Sequence, residues 1–202
     1  MLGVEVQAAL VVRDLDGQDR RVRFRADRVD EVDGEVLLTD YKRGRPPSTG
    51  KKEETRRRHL VDGVRHGRHL QGVAYALAGA GRGTVGRYLH LLPGVDEGAR
   101  AVRVEPDDGP LREAFDEAVR RVLAAWDDGA LFPRLTDPAG LAAPTACTYC
   151  QVAEACLQGD SGARRRLVEW QLAPSAVGNG RALDAARDLW SMGEGEDEET
   201  PA

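Results

Sequence analysis

Residues 20–42, RRVRFRADRVDEVDGEVLLTDYK, decide the fold. Residues 20–31 and 35–42 read as strands, with polar and apolar side chains alternating over 21–27. Between them stands Asp33-Gly34, a favoured two-residue hairpin turn. With these two residues at the turn, Val32 pairs with Glu35, and counting outward sets Asp27 opposite Asp40. Strand alternation puts Lys42 on the same face as Asp40. Two carboxylates facing each other across a hairpin repel and weaken it. A divalent cation between them turns that liability into a site, because Mg²⁺ takes hard oxygen ligands, typically one or two carboxylates with waters and substrate phosphate. Lys42 then stands where an ammonium orients an attacking water or stabilises charge on a phosphate. The competing reading is a solvent-facing hairpin whose charges only keep it soluble.

Working outward, residues 4–13 form a further strand ahead of the Asp16-Gly17 turn. Residues 44–65 are polar, contain Gly44, Pro46, Pro47 and Gly50, and read as a long mobile loop. A helix over 67–80 carries Leu70, Val73, Ala74, Leu77 and Ala78 on one stripe. Residues 84–92 and 99–105 read as strands. Asp107, Asp108 and Pro110 then open a helix with Leu111, Phe115, Ala118, Val119, Val122 and Trp126 at helical spacing. Residues 129–146 read as loop, 162–172 and 180–191 as helices, and 193–202 as a disordered acidic tail. Hairpins followed by helix, strand and helix predict an α/β fold, a mixed sheet flanked by helices.

A chain of 202 residues with 41% hydrophobic content has enough apolar material for one good core. No apolar run approaches the ~20 residues of a membrane span, and the N-terminus does not read as a leader. Three cysteines do not make a disulfide framework; a cytoplasmic protein with metal or cluster chemistry is the expectation. The net charge of −5 hides an asymmetry, since residues 42–69 hold ten Lys/Arg against three acids. Lys51, Lys52, Arg56, Arg57 and Arg58 are the candidate nucleic-acid contacts in that stretch; a solvated basic surface is the bland alternative. Only three of the 29 basic residues are lysines, so Lys42 stands out in a chain that otherwise uses Arg.

The segment ADRVDEVDGEVLLTDYKRG (26–44) resembles the signature of the RecB-like branch of the PD-(D/E)XK nucleases. The resemblance implies a restriction-endonuclease-like core, with Asp27 and Asp40 as metal ligands, Lys42 as the catalytic lysine and the Tyr41 carbonyl as a main-chain ligand. This chain has Phe24 where that branch usually has Gly. Downstream, Gln71-Gly72-Val73-Ala74-Tyr75 resembles the branch's Q-x-x-x-Y motif, which implies DNA contact beside the active site for Gln71 and Tyr75. A spacing of four puts both on one helix face.

Cys147, Cys150 and Cys156 give C-x₂-C-x₅-C, a spacing from which thiolates converge on one metal centre. The triplet resembles that of AddB-type nuclease domains, where a fourth, upstream cysteine completes a [4Fe–4S] cluster. No cysteine precedes Cys147 here. Zinc with a histidine, or three unligated thiols, remain open beside the cluster. The branch also supplies a metal-site His from a helix ahead of the first strand; His59, His66 and His69 all follow the Asp-Tyr-Lys strand. The two absences together lead us to expect a chain incomplete as a catalytic unit, weakly active alone and more active when an upstream segment is supplied.

The resemblance implies a Mg²⁺- or Mn²⁺-dependent (exo)deoxyribonuclease acting on DNA with a helicase partner in break repair, and no membrane association. A CRISPR-associated exonuclease is the alternative within the class. A degenerate nuclease fold that binds DNA or a partner is the alternative outside it. The expected division is a nuclease core over 1–157, a helical appendage over 158–192 and the tail over 193–202.

Overall fold

Strands β1 (Gly3–Arg13), β2 (Asp19–Val32) and β3 (Glu35–Lys42) form an antiparallel meander in the computed structural model, which describes residues 1–79, 83–136, 144–156, 159–173 and 180–192. The β2–β3 turn is the expected one. Asp33 and Gly34 have φ of 52° and 84°, the left-handed pair that a type I′ hairpin turn requires, and Val32 pairs with Glu35. From β3 the chain crosses over through helices α1 (Glu53–Arg65) and α2 (Leu70–Ala78) to β4 (Thr84–His90), which pairs parallel with β3. A parallel neighbour requires such a crossover. After the short α3 (Glu97–Arg100), β5 (Ala101–Val104) pairs antiparallel with β4 and completes a mixed five-stranded sheet in sequence order. The predicted α/β class is what forms.

Helix α1 corrects the expectation of a loop over 44–65. Its apolar content is sparse; Leu60 and Val64, four residues apart, are its only buried side chains, too few to register as a stripe. What makes it helical is local. Glu53 and Glu54 occupy the first turn and Arg65 the last, both favourable to the helix dipole. The segment before it is tied down as well: Arg56 Nη1 donates to the carbonyls of Gly50 and Lys51, 2.9 Å each.

Helix α2 lies against the sheet at unusually close range. A Cβ on Gly86 of β4 would stand 1.9 Å from the Gly72 carbonyl oxygen, and one on Gly72 would stand 2.6 Å from the Tyr88 ring. Glycine at both positions is therefore what lets helix and strand backbones touch. Around this contact Ala26, Val29, Leu38 and Tyr75 form a buried cluster, with Val6, Phe24 and Val36 packed on it.

The chain divides into two compact units, Met1–Arg120 and Arg121–Ala202, the boundary falling inside α4 (Gly109–Asp127). Helix α4 begins as expected: Asp108 Oδ1 accepts from the Leu111 amide as its cap. Leu111, Phe115, Ala118 and Val119 are buried, but Trp126 is exposed and Ala125 takes the buried position in its place. In the second unit α5 (Ser161–Leu172), capped by Asp160, and α6 (Arg181–Ser191) bring Trp170 and Leu189 onto Ala125, Ala130, Ala185 and Ala186. Trp190 meets the Phe132 and Trp170 rings edge-on. The tail expected to be disordered, 193–202, lies outside the described residues, as do 137–143 of the expected loop. No described helix is long and apolar enough to cross a membrane.

Candidate active site

The C-terminal end of β3 carries the site. Asp40 is 5% exposed, and its Oδ2 lies 2.7 Å from Lys42 Nζ but accepts no hydrogen bond of good directional geometry among the described residues. Lys42 Nζ also donates to Gln71 Oε1 at 2.7 Å, 29 residues further along the chain. Asp40 and Lys42 share a face of β3, as alternation demands, and α2 delivers Gln71 to that face. The same ammonium sits 5.7 Å from the centre of the Tyr88 ring, within range of a cation–π attraction.

Asp27 reaches the site differently from the expectation. The β2–β3 register holds from Val32↔Glu35 to Arg28↔Thr39, and the Asp27–Asp40 pair would be its next rung. The ladder stops before it. Instead Asp27 Oδ2 accepts from the Tyr41 amide at 2.8 Å, so the carboxylate itself takes up the backbone donor beside Asp40. The β1–β2 ladder is interrupted at the same residue, skipping Glu5 and Asp27, and Glu5 has a φ of 53°. Ala26 and Val29, an odd number of residues apart, both join the cluster around Tyr75. The pleat is thus reset at Asp27, with Glu5 taking up the irregularity across the pair.

Tyr75, the second residue of the helical motif, is fully buried. Its hydroxyl donates to the Arg25 carbonyl at 2.7 Å, just ahead of Asp27, and its ring lies 5.1 Å from Phe24. The phenylalanine at the atypical position therefore fills the space beside Tyr75. Burial first, then the charges of Asp40 and Asp27, push the Tyr75 phenol well above its ordinary range. It serves as a neutral hydrogen-bond donor.

Two histidines that the sequence did not single out for this site flank Lys42. His90, 1% exposed, is the β4 partner of Lys42; its Nδ1 lies 3.0 Å from the Gly44 carbonyl, and its buried Nε2 has no hydrogen-bond partner among the described residues. His69 precedes α2 with a φ of 54° and meets the Tyr88 ring edge-on. Burial, then the neighbouring His90, Lys42 and Arg68, push His69 down to about 4. Protonation therefore favours the unfolded chain, in which the imidazole titrates near 6.5. The contribution is fully present above about pH 6.5 and is lost as pH falls toward 4. Because His69 is partly exposed, the loss is on the order of 1–2 kcal/mol. Urea midpoints of wild type and His69→Asn, which suits a left-handed position, should diverge between pH 7 and pH 4.5, the wild type weakening more. Parallel curves would exclude His69 as the source.

The basic stretch is divided by the structure. Arg57 makes a bidentate pair with Asp108, 2.8 and 2.6 Å, and Arg56 binds loop carbonyls. Lys51, Lys52 and Arg58 are exposed, with no ion pair among the described residues.

Asp40 Oδ2, buried and short of a directional partner, together with the neighbouring Asp27 carboxylate, is a hard-oxygen donor set that suits Mg²⁺ or Mn²⁺. The thiols fit a cluster less well. Cys147, Cys150 and Cys156 are free and Cys150 is exposed; among the described residues no three or more His, Cys, Asp or Glu side chains gather into a metal-holding group, at the thiols or around Asp27 and Asp40.

Compared with known families, residues 1–157 match the model of the PD-(D/E)XK nuclease superfamily. No curated protein and no solved structure matches the chain significantly.

Proposed function

Starting from the chain's membership of the PD-(D/E)XK nuclease superfamily, we propose that it is a divalent-metal-dependent deoxyribonuclease with its active site at Asp27, Asp40 and Lys42. The observation that carries this reading is the position of Lys42 Nζ, 2.7 Å from both Asp40 Oδ2 and Gln71 Oε1. Three residues from two separate motifs meet at one ammonium. Asp27, Asp40 and the Tyr41 carbonyl would hold Mg²⁺ or Mn²⁺. When bound, the ion supplies Lewis-acid polarisation of the phosphate and a more acidic water.

The chain's own groups do the rest. Asp40 and Gln71 fix Lys42 Nζ from two sides, leaving an ammonium N–H to meet a phosphate oxygen or orient water. Asp27 holds the Tyr41 amide and so fixes the backbone between Asp40 and Lys42. Tyr75 ties α2 to β2 and keeps Gln71 at this distance. Purified protein should degrade single- or double-stranded DNA with Mg²⁺ or Mn²⁺ and stop with EDTA. Cleavage that persists unchanged in EDTA would reject the metal reading.

Exposed Lys51, Lys52 and Arg58 are the side chains we assign to the DNA backbone. Replacing all three by Ala should weaken binding alike across sequences and lower the slope of log affinity against log salt by about 2–3. An unchanged slope would return the segment to a solvated surface. Arg57→Ala should instead destabilise the fold by about 0.5–1 kcal/mol, since the pair it breaks with Asp108 is half exposed.

Exonuclease polarity, a helicase partner in break repair and an iron–sulfur centre at Cys147, Cys150 and Cys156 belong to this proposal as its outer layer. They draw on motif resemblance, and no step of the chemistry above passes through the cysteines. Iron content after anaerobic purification tests the last of them. Iron bound to wild type and lost in Cys150→Ser supports a cluster; iron-free protein removes it.

A further inference from the structure

Helix α2 starts without a local cap. His69 stands at its N-cap in a left-handed conformation and makes no side-chain hydrogen bond to the first turn. The first-turn amides of a helix need acceptors from elsewhere. One comes from across the sheet. Tyr88 of β4 is fully buried, and its hydroxyl accepts from the Gly72 amide, the third residue of the helix, at 2.6 Å. The same hydroxyl donates to the His69 carbonyl. A serine or aspartate N-cap accepts from this third position in an ordinary helix; here a tyrosine from a neighbouring strand does so.

Gln71 lies between those two anchored residues, and Lys42 sits over the Tyr88 ring. One side chain thus anchors the backbone on both sides of Gln71 and lies beneath the Lys42 ammonium. We propose that Tyr88 is a positioning residue for Lys42: its hydroxyl caps α2 in trans and thereby sets Gln71 where it holds the lysine. This rests on the nuclease reading above for its effect on catalysis, but the cap itself does not. Burial pushes the Tyr88 phenol upward, which keeps it a neutral hydroxyl able to accept and donate together.

Tyr88→Phe keeps the ring and removes the oxygen. It is expected to lower kcat about 10-fold or more, the scale of a small misplacement of a catalytic group, with KM for DNA within about 2-fold. In a Gln71→Ala background the same change should have almost no further effect on kcat, because the residue through which Tyr88 acts is gone. A general loss of structural integrity would lower both backgrounds alike. Unchanged kcat in Tyr88→Phe, or a full further loss on top of Gln71→Ala, would overturn the proposal. A measurement on the wild type depends neither on a variant folding nor on activity. The Gly72 amide should exchange with solvent roughly 100-fold more slowly than the Leu70 and Gln71 amides before it. Equal exchange at all three would remove the cap. Protected Gly72 in a wild type without nuclease activity would instead overturn the nuclease reading and leave the cap standing.

Discussion

Asp40→Asn is expected to give a folded protein whose Mg²⁺-dependent DNA cleavage is down by roughly 10³-fold. The substitution preserves the shape of a residue only 5% exposed, so packing around it persists. What it removes is the charge on the oxygen that faces Lys42 at 2.7 Å and has no directional hydrogen bond. An amide nitrogen there does not ligate a hard cation, and an uncharged amide oxygen holds it more weakly than a carboxylate does. Lys42→Met should lose activity comparably while retaining the metal ligands. The check is cleavage rate against urea midpoint for each variant. Activity within a few-fold of wild type in either would remove the residue from the site.

The largest effect on stability is expected at Gly86. Alanine there sets a Cβ 1.9 Å from the Gly72 carbonyl oxygen, a contact between two backbones that no side-chain rotation relieves. Helix α2 must lift from β4, opening the cluster of Ala26, Val29, Leu38 and Tyr75 and moving Gln71 from Lys42. A loss of at least about 3 kcal/mol follows, with nuclease activity falling alongside it. Gly44→Ala provides the control, because a Cβ there meets nothing within 4 Å; its urea midpoint should stay within about 0.5 kcal/mol of wild type. Equal midpoints for the two variants would show that α2 and β4 are not held this closely.

Where signal and partner lie within a few residues, the sequence was legible. The Asp33-Gly34 turn, the register from Val32↔Glu35 to Arg28↔Thr39, and the shared face of Asp40 and Lys42 all follow from a two-residue loop and a two-residue period. The last rung did not follow. Strand β2 changes face at Asp27, and its counterpart Glu5 takes a positive φ that glutamate does not advertise. Helix α1 was hidden for a different reason: Leu60 and Val64 are too small a stripe to stand out among arginines and glutamates.

The Q-x-x-x-Y spacing put Gln71 and Tyr75 on one helix face. It did not indicate that Gln71 meets Lys42 while Tyr75 is buried with its hydroxyl on the Arg25 carbonyl. Tyr88, His69 and His90 were missed because their partners come from other elements: Gly72 is 16 residues from Tyr88, and Gly44 is 46 from His90. Periodicity describes the face a residue occupies, not the neighbour that face will meet. The Arg57–Asp108 pair, 51 residues apart, makes the same point for the basic stretch. Charge density alone did not separate arginines that hold the fold from those left exposed.

The most direct test of a shared cation site at Asp27 and Asp40 is Mn²⁺ binding, followed by loss of the free-ion electron paramagnetic resonance signal. Wild type should take up the ion, Asp27→Asn and Asp40→Asn should each lose that uptake, and Mg²⁺ should compete for it. Equal Mn²⁺ binding by wild type and Asp40→Asn would contradict the assignment.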